Sequence, residues 1–162
     1  MNAEAQQVIA KLGLVPLPRE GGFYRLTWVS AQRMPDGRAA GSAIYFLITP
    51  DEFSAFHRLA GEELWHFHAG DPVDHVQLDP LSARVRTTRL GSNIVAGHVP
   101  RLGVAGGIWQ GAKLAAGGSR GWALLGCSLV PAWDEKEFEI ADTGALLLAF
   151  PEHAAIVREL TR

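Results

Sequence analysis

From Gly13 to about residue 140 this chain never runs far without a residue that turns or breaks it. Gly, Pro, Asp and Asn recur at close intervals, and the runs between them are short and rich in β-branched and aromatic residues. Such texture leaves no room for long helices; it is what an all-β sandwich or barrel requires. It predicts strands over residues 22–30, 42–49, 53–59, 64–68, 73–78, 83–90, 107–113, 122–129 and 137–140. Met34-Pro35-Asp36-Gly37 and Asp79-Pro80-Leu81-Ser82 put fixed-φ and positive-φ residues where tight turns need them. Gly117-Gly118 should turn the chain as well.

Only the two ends have helical spacing. Ala5, Val8, Ile9 and Leu12 share a face, and Gly13 is a natural stop. After Thr143, Leu146, Leu147 and Phe150 lead to Pro151, which can open a final helix because its missing N–H costs nothing there. Ala154, Ile156, Val157 and Leu160 give that helix its apolar face. No repeat or linker interrupts the chain, so residues 1–162 are expected to form a single domain.

Several classes of function drop out. A chain of 162 residues with 48% apolar side chains needs neither metal nor disulfide merely to fold. The net charge of −2, without a Lys/Arg cluster, argues against nucleic acid as a partner. Cys127 is the single cysteine and lies in an apolar run, as an inert buried thiol would. No apolar stretch approaches the roughly 20 residues of a membrane span, and the first residues lack the basic-then-apolar pattern of a signal. A soluble, cytoplasmic protein is expected.

Ionisable groups concentrate in Glu62-Glu63-Leu64-Trp65-His66-Phe67-His68-Ala69-Gly70, with His57 just upstream. Strand alternation puts Glu63, Trp65 and Phe67 on one face and Leu64, His66 and His68 on the other. A buried Glu63 must be paired, or bind a cation or polar ligand, because an isolated carboxylate in an apolar interior is too costly. His66 and His68 then face solvent or a dimer partner. Arg58 is a candidate salt-bridge partner for Glu62 or Glu63. Two further stretches stand out. Gly106-Gly107-Ile108-Trp109-Gln110 pairs flexible backbone with an aromatic wall and an amide, and Arg19-Glu20-Gly21-Gly22-Phe23-Tyr24 opens a strand with a carboxylate and two glycines. No Ser-His-Asp order, no HExxH helix and no paired Cys is present.

In order along the chain, these pieces resemble the cupins, specifically the fifth cupin family, a domain of unknown function. The resembling residues begin with Glu20-Gly21-Gly22-Phe23-Tyr24, Ser42-Ala43-Ile44-Tyr45-Phe46-Leu47 and Phe56-His57-Arg58-Leu59. Glu63 to Gly70, Gly107-Ile108-Trp109-Gln110-Gly111-Ala112, Leu125-Gly126-Cys127, Val130-Pro131-Ala132-Trp133, Phe138-Glu139-Ile140 and Phe150-Pro151-Glu152-His153 follow. The first cupin motif has two His before a Glu, then six residues and a Gly. Glu63 and Gly70 fit that spacing, and only His57 can stand for one of the His. Gln110 stands where the second motif ends in His.

The resemblance implies a double-stranded β-helix, the cupin jelly-roll barrel, with short N- and C-terminal helices and a pocket at its open end. It also implies a homodimer through N-terminal strands. His57 and Glu63 are the catalytic candidates, with Gln110, Trp65, Trp109, Tyr24, Glu20 and Phe67 as ligand contacts. His57, Glu63 and Gln110 would hold a metal if one binds. Gln110 is a poor third ligand for Fe, Ni or Zn, so the cofactor expected is none or a weakly bound divalent metal. By analogy with metal-free cupins such as sugar-nucleotide epimerases, the reading is a small-molecule-binding protein, isomerase- or epimerase-like, acting on a small polar or sugar-like ligand. Its alternatives are a metal-dependent dioxygenase or isomerase, and a non-enzymatic binding or interaction module.

Overall fold

The computed structural model describes residues 1–162. Helix α1 (Ala3–Leu12) begins where the Asn2 side chain accepts the Ala5 N–H and ends at Gly13, whose φ of 62° is left-handed. Eleven strands follow: β1 (Val15–Pro16), β2 (Phe23–Val29), β3 (Ser42–Ile48), β4 (Ser54–Arg58), β5 (Glu62–Gly70), β6 (Val73–Leu78), β7 (Val85–Leu90), β8 (Arg101–Val104), β9 (Trp109–Leu114), β10 (Ala123–Val130) and β11 (Glu139–Ile140). Helices α2 (Thr143–Ala149) and α3 (Ala154–Glu159) close the chain.

The strands form two sheets whose named pairings are all antiparallel, ordered β1-β2-β3-β10-β5-β8 and β11-β4-β9-β6-β7. Their inner faces share a core that includes Phe46, Ile48, Trp65, Leu90, Val104 and Leu125. Each outer face has its own cover, because alternation leaves apolar residues there too. On the six-stranded sheet α1 packs Ala5 and Val8 near Leu47 and Trp122. On the five-stranded sheet α2 and α3 bring Leu146, Val157 and Leu160 over Phe56, Val76, Leu78 and Trp109. The architecture is the jelly roll expected from the resemblance.

Two strands, β1 and β8, lie outside the predicted set, and the final helix differs. Thr143–Ala149 is a separate helix, and Pro151–His153 is a 3-10 turn leading into α3. Phe150 breaks the run at φ −133°, as a residue before proline tends to do. Gly106 explains one glycine pair: a Cβ there would collide with the Ala60 carbonyl, so Gly106 serves a close approach within the chain rather than to a ligand. Beyond Tyr24, the β2 edge facing away from β3 has no partner strand, and Leu26, Trp28 and Val29 are exposed on it.

Candidate functional site

The chain crosses from one sheet to the other through residues 59–61, so neighbouring strands β4 and β5 face each other across the barrel. His57, on the inner face of β4, thereby comes opposite Glu63 on β5. Both line a cavity of about 450 Å³. Glu20, Ser42, Leu59 and Cys127 are its other buried lining residues. Pro18, Arg19, Leu26, Trp133 and Glu135 are exposed and form its mouth, while Tyr24 and Phe138 stand between. A space of this size, mostly apolar with a few converging polar groups, suits a small organic molecule.

The floor is a hydrogen-bonded network. An indole N–H can only donate, so the 2.9 Å contact from Trp65 Nε1 fixes Gln110 Oε1 as its acceptor. Gln110 Nε2 is thereby turned to Glu63 and donates to Oε2 at 2.6 Å. Trp65 also donates to Glu63 Oε2 at 3.1 Å. With Oε2 engaged twice, Oε1 is the Glu63 oxygen without a protein partner. Behind the amide, His75 Nε2 lies 3.2 Å from Gln110 Oε1 and must carry the hydrogen, leaving His75 Nδ1 buried and unpartnered.

His57 Nδ1 donates to the Ala55 carbonyl at 2.9 Å, which leaves Nε2 as the ring nitrogen without a protein partner. Glu20 Oε1 stands 3.8 Å from the same Nδ1 and is held by the Ser54 hydroxyl, which donates at 2.6 Å. Phe138 stacks on the imidazole, with centroids 5.5 Å apart and planes 27° apart.

Burial pushes the Glu63 carboxyl up to about 7, against the opposing pull of His57 and with some help from Glu20. The Gln110 and Trp65 hydrogen bonds restrain the rise. At neutral pH, Glu63 therefore passes readily between acid and carboxylate. Burial holds His75 neutral by pushing it down to about 3. It also raises the Cys127 thiol, which fits an inert role.

The model of the family described as "Cupin superfamily (DUF985)" matches residues 6–141. The chain belongs to this cupin family. Two solved structures align with nearly the full length of the cupin. Protein SO0799 from Shewanella oneidensis is 34% identical, with 100% of this chain and 98% of that one covered at a TM-score of 0.89. A hypothetical protein from Leishmania major is 33% identical, with 97% and 98% covered at a TM-score of 0.88. The oxalate decarboxylase of Bacillus subtilis shares the fold at 10% identity and a TM-score of 0.56, over 91% of this chain and 37% of that one. No curated protein matches.

Cupins often bind metals, so the donors of this member decide whether one fits. Ala55, two residues before His57 on the same face of β4, offers none. Gln110 presents its N–H to Glu63 and spends its oxygen on Trp65 and His75. That leaves His57 Nε2 and Glu63 Oε1, two donors where a transition metal takes three or four protein ligands. The site does not suit a tightly held metal.

The structure brings together His57, Glu63, Glu20 and Tyr24 along the cavity. It places Trp65 and Gln110 directly behind Glu63 as its donors rather than in the lining. Phe67 shares the face of Glu63 but lies four residues on, about 13 Å along the strand, and packs into the core. Trp109 is a correction. Since Gln110 points inward, its neighbour must point outward, where α2, α3 and the Arg58 guanidinium cover it. Arg58 pairs with Glu139, not with Glu62 or Glu63. On the opposite face of β5, His66 is half-buried beside Ser128 and the exposed His68 meets the edge of Tyr45.

Sequence reasoning did not assign His75, Ser54, Trp133 or Phe138 to the site, although Trp133 and Phe138 lie in stretches that carry the family resemblance. His75 was within reach: alternation along β6 puts it on the inner face with Val73. Trp133 and Phe138 depend on which segments fold over the mouth, and Ser54 on how Glu20 meets the buried start of β4; no local pattern records either.

Proposed function

We propose that this cupin binds a small polar molecule in its barrel and shifts a proton on it without a metal, as an isomerase or epimerase does. The observation that carries this reading is the facing pair: a His57 with Nε2 free, and a Glu63 that titrates near 7 with Oε1 free. One group suited to take a proton and one suited to give it stand on opposite walls of one cavity. Glu20 completes the arrangement by standing 3.8 Å from the other His57 nitrogen, on the side away from Nε2.

Deuterium incorporation tests it. Chelator-treated protein in heavy water, given a panel of small hydroxy- and keto-compounds, should exchange a carbon-bound hydrogen next to a carbonyl in at least one of them. His57→Gln and Glu63→Gln should each slow that exchange by about 100-fold or more. Exchange that needs added divalent metal would favour the metal-dependent reading instead, and exchange that both variants keep would place the chemistry away from His57 and Glu63. We also propose a homodimer, with the free β2 edge and its exposed Leu26, Trp28 and Val29 as the contact. Sedimentation should give twice the 17.5 kDa chain mass, and Trp28→Glu should reduce it to one.

A further inference from the structure

Among the residues lining the cavity, Arg19 is the only Lys or Arg. Its guanidinium makes no hydrogen bond and no ion pair within the chain. The guanidinium carbon instead lies over the Phe138 ring, 5.1 Å from the centroid, and Phe138 in turn stacks on His57. The backbone beneath is unusual. Arg19 has a φ of 69°, and the Glu20 N–H donates to the Pro18 carbonyl at 2.8 Å. Arg19 is thus the central residue of a positive-φ γ-turn, a rare and strained conformation. Glycine would adopt it freely, and Gly21 and Gly22 do take positive φ immediately after. Nothing the fold needs explains an arginine here. Strain of this kind collects where a side chain is held for a ligand.

The turn also sets the geometry of the ligand. It sends Glu20 to the buried floor beside His57 and leaves Arg19 at the exposed mouth. A guanidinium fork binds a planar carboxylate through two parallel hydrogen bonds. The remaining charges decide between anions. Glu20, Glu63 and Glu135 line the same cavity, so a singly charged carboxylate meets less repulsion than a doubly charged phosphate. We propose that Arg19 anchors the carboxylate of a small organic acid at the cavity mouth, with the acid's uncharged body lying along Phe138 towards His57 and Glu63. The assignment rests on the acid–base reading of that cavity and adds the substrate class.

Matched probes test it: benzoate, benzyl alcohol, benzylamine and phenyl phosphate, titrated calorimetrically into the full chain. Benzoate should bind about tenfold or more tighter than benzyl alcohol, and tighter than the other two. Arg19→Met should erase the advantage over benzyl alcohol. Arg19→Gly should do the same while melting no lower than wild type, because it relieves the turn; this separates lost binding from lost folding. Benzoate binding no tighter than benzyl alcohol, or an advantage that survives Arg19→Met, overturns the assignment. So does tighter binding of phenyl phosphate or benzylamine. Failure here leaves the acid–base reading standing, since that is read from deuterium exchange in compounds of any charge and from the titration of Glu63 without ligand.

Discussion

Glu63→Gln should make the protein more stable than wild type at pH 8, by about 3 kcal/mol in urea denaturation. The carboxyl titrates near 7 when folded, against 4.5 in its unperturbed state. Between those values the folded chain keeps a proton that the unfolded chain has released, so the free energy of unfolding falls as pH rises. Below about pH 4.5 both states are protonated and the contribution is fully present; it is lost as pH rises through 7. Glutamine has the same shape, and its carbonyl can accept from Gln110 and Trp65 as Oε2 does. It carries no charge to desolvate. At pH 4 the variant and wild type should therefore differ little. A variant less stable than wild type at pH 8 would mean that the neighbours, not burial, dominate at Glu63.

His75→Gln should remove a loss of stability in acid worth several kcal/mol between pH 6.5 and 3. Here the sign is reversed. The buried ring stays neutral down to about pH 3, whereas an exposed histidine takes a proton near 6.5. In that interval the unfolded state binds the extra proton, so stability falls with pH by about 1.4 kcal/mol per pH unit. Glutamine keeps a donor for Gln110 Oε1 and cannot titrate. The two slopes oppose each other between pH 4.5 and 6.5, so the wild-type profile should be nearly flat there. Glu63→Gln should expose the histidine slope, with stability falling towards acid. His75→Gln should expose the carboxyl slope, with stability rising towards acid. Profiles that all run parallel would show that neither group is buried as described.

The β texture was legible because each long strand has a run of its own between turn residues. Strand β8 was not. Arg101-Leu102-Gly103-Val104 has no β-rich character and is a strand only because β5 pairs with it, Glu63 opposite Val104. Pairing of that sort is a tertiary fact. The site divides in the same way. Glu63 was legible because alternation forces it inward among aromatics, and His57 because two strands joined by a short turn bring them together. Trp109 was misplaced by treating sequence neighbours as site neighbours, which a strand forbids. His75 was open to the same alternation along β6, whereas Arg19 matters through a strained turn that leaves no pattern in composition or spacing.

Proton transfer in this cavity depends most directly on the protonation of one carboxyl. Infrared titration of Glu63 in metal-free, ligand-free protein, with Glu63→Gln as the subtraction reference, reads it without reference to any substrate. A protonated carbonyl band that disappears with a midpoint near pH 7 is the predicted result. A midpoint in the ordinary carboxylate range near 4.5 would contradict it, because Glu63 would then have no proton to give at neutral pH.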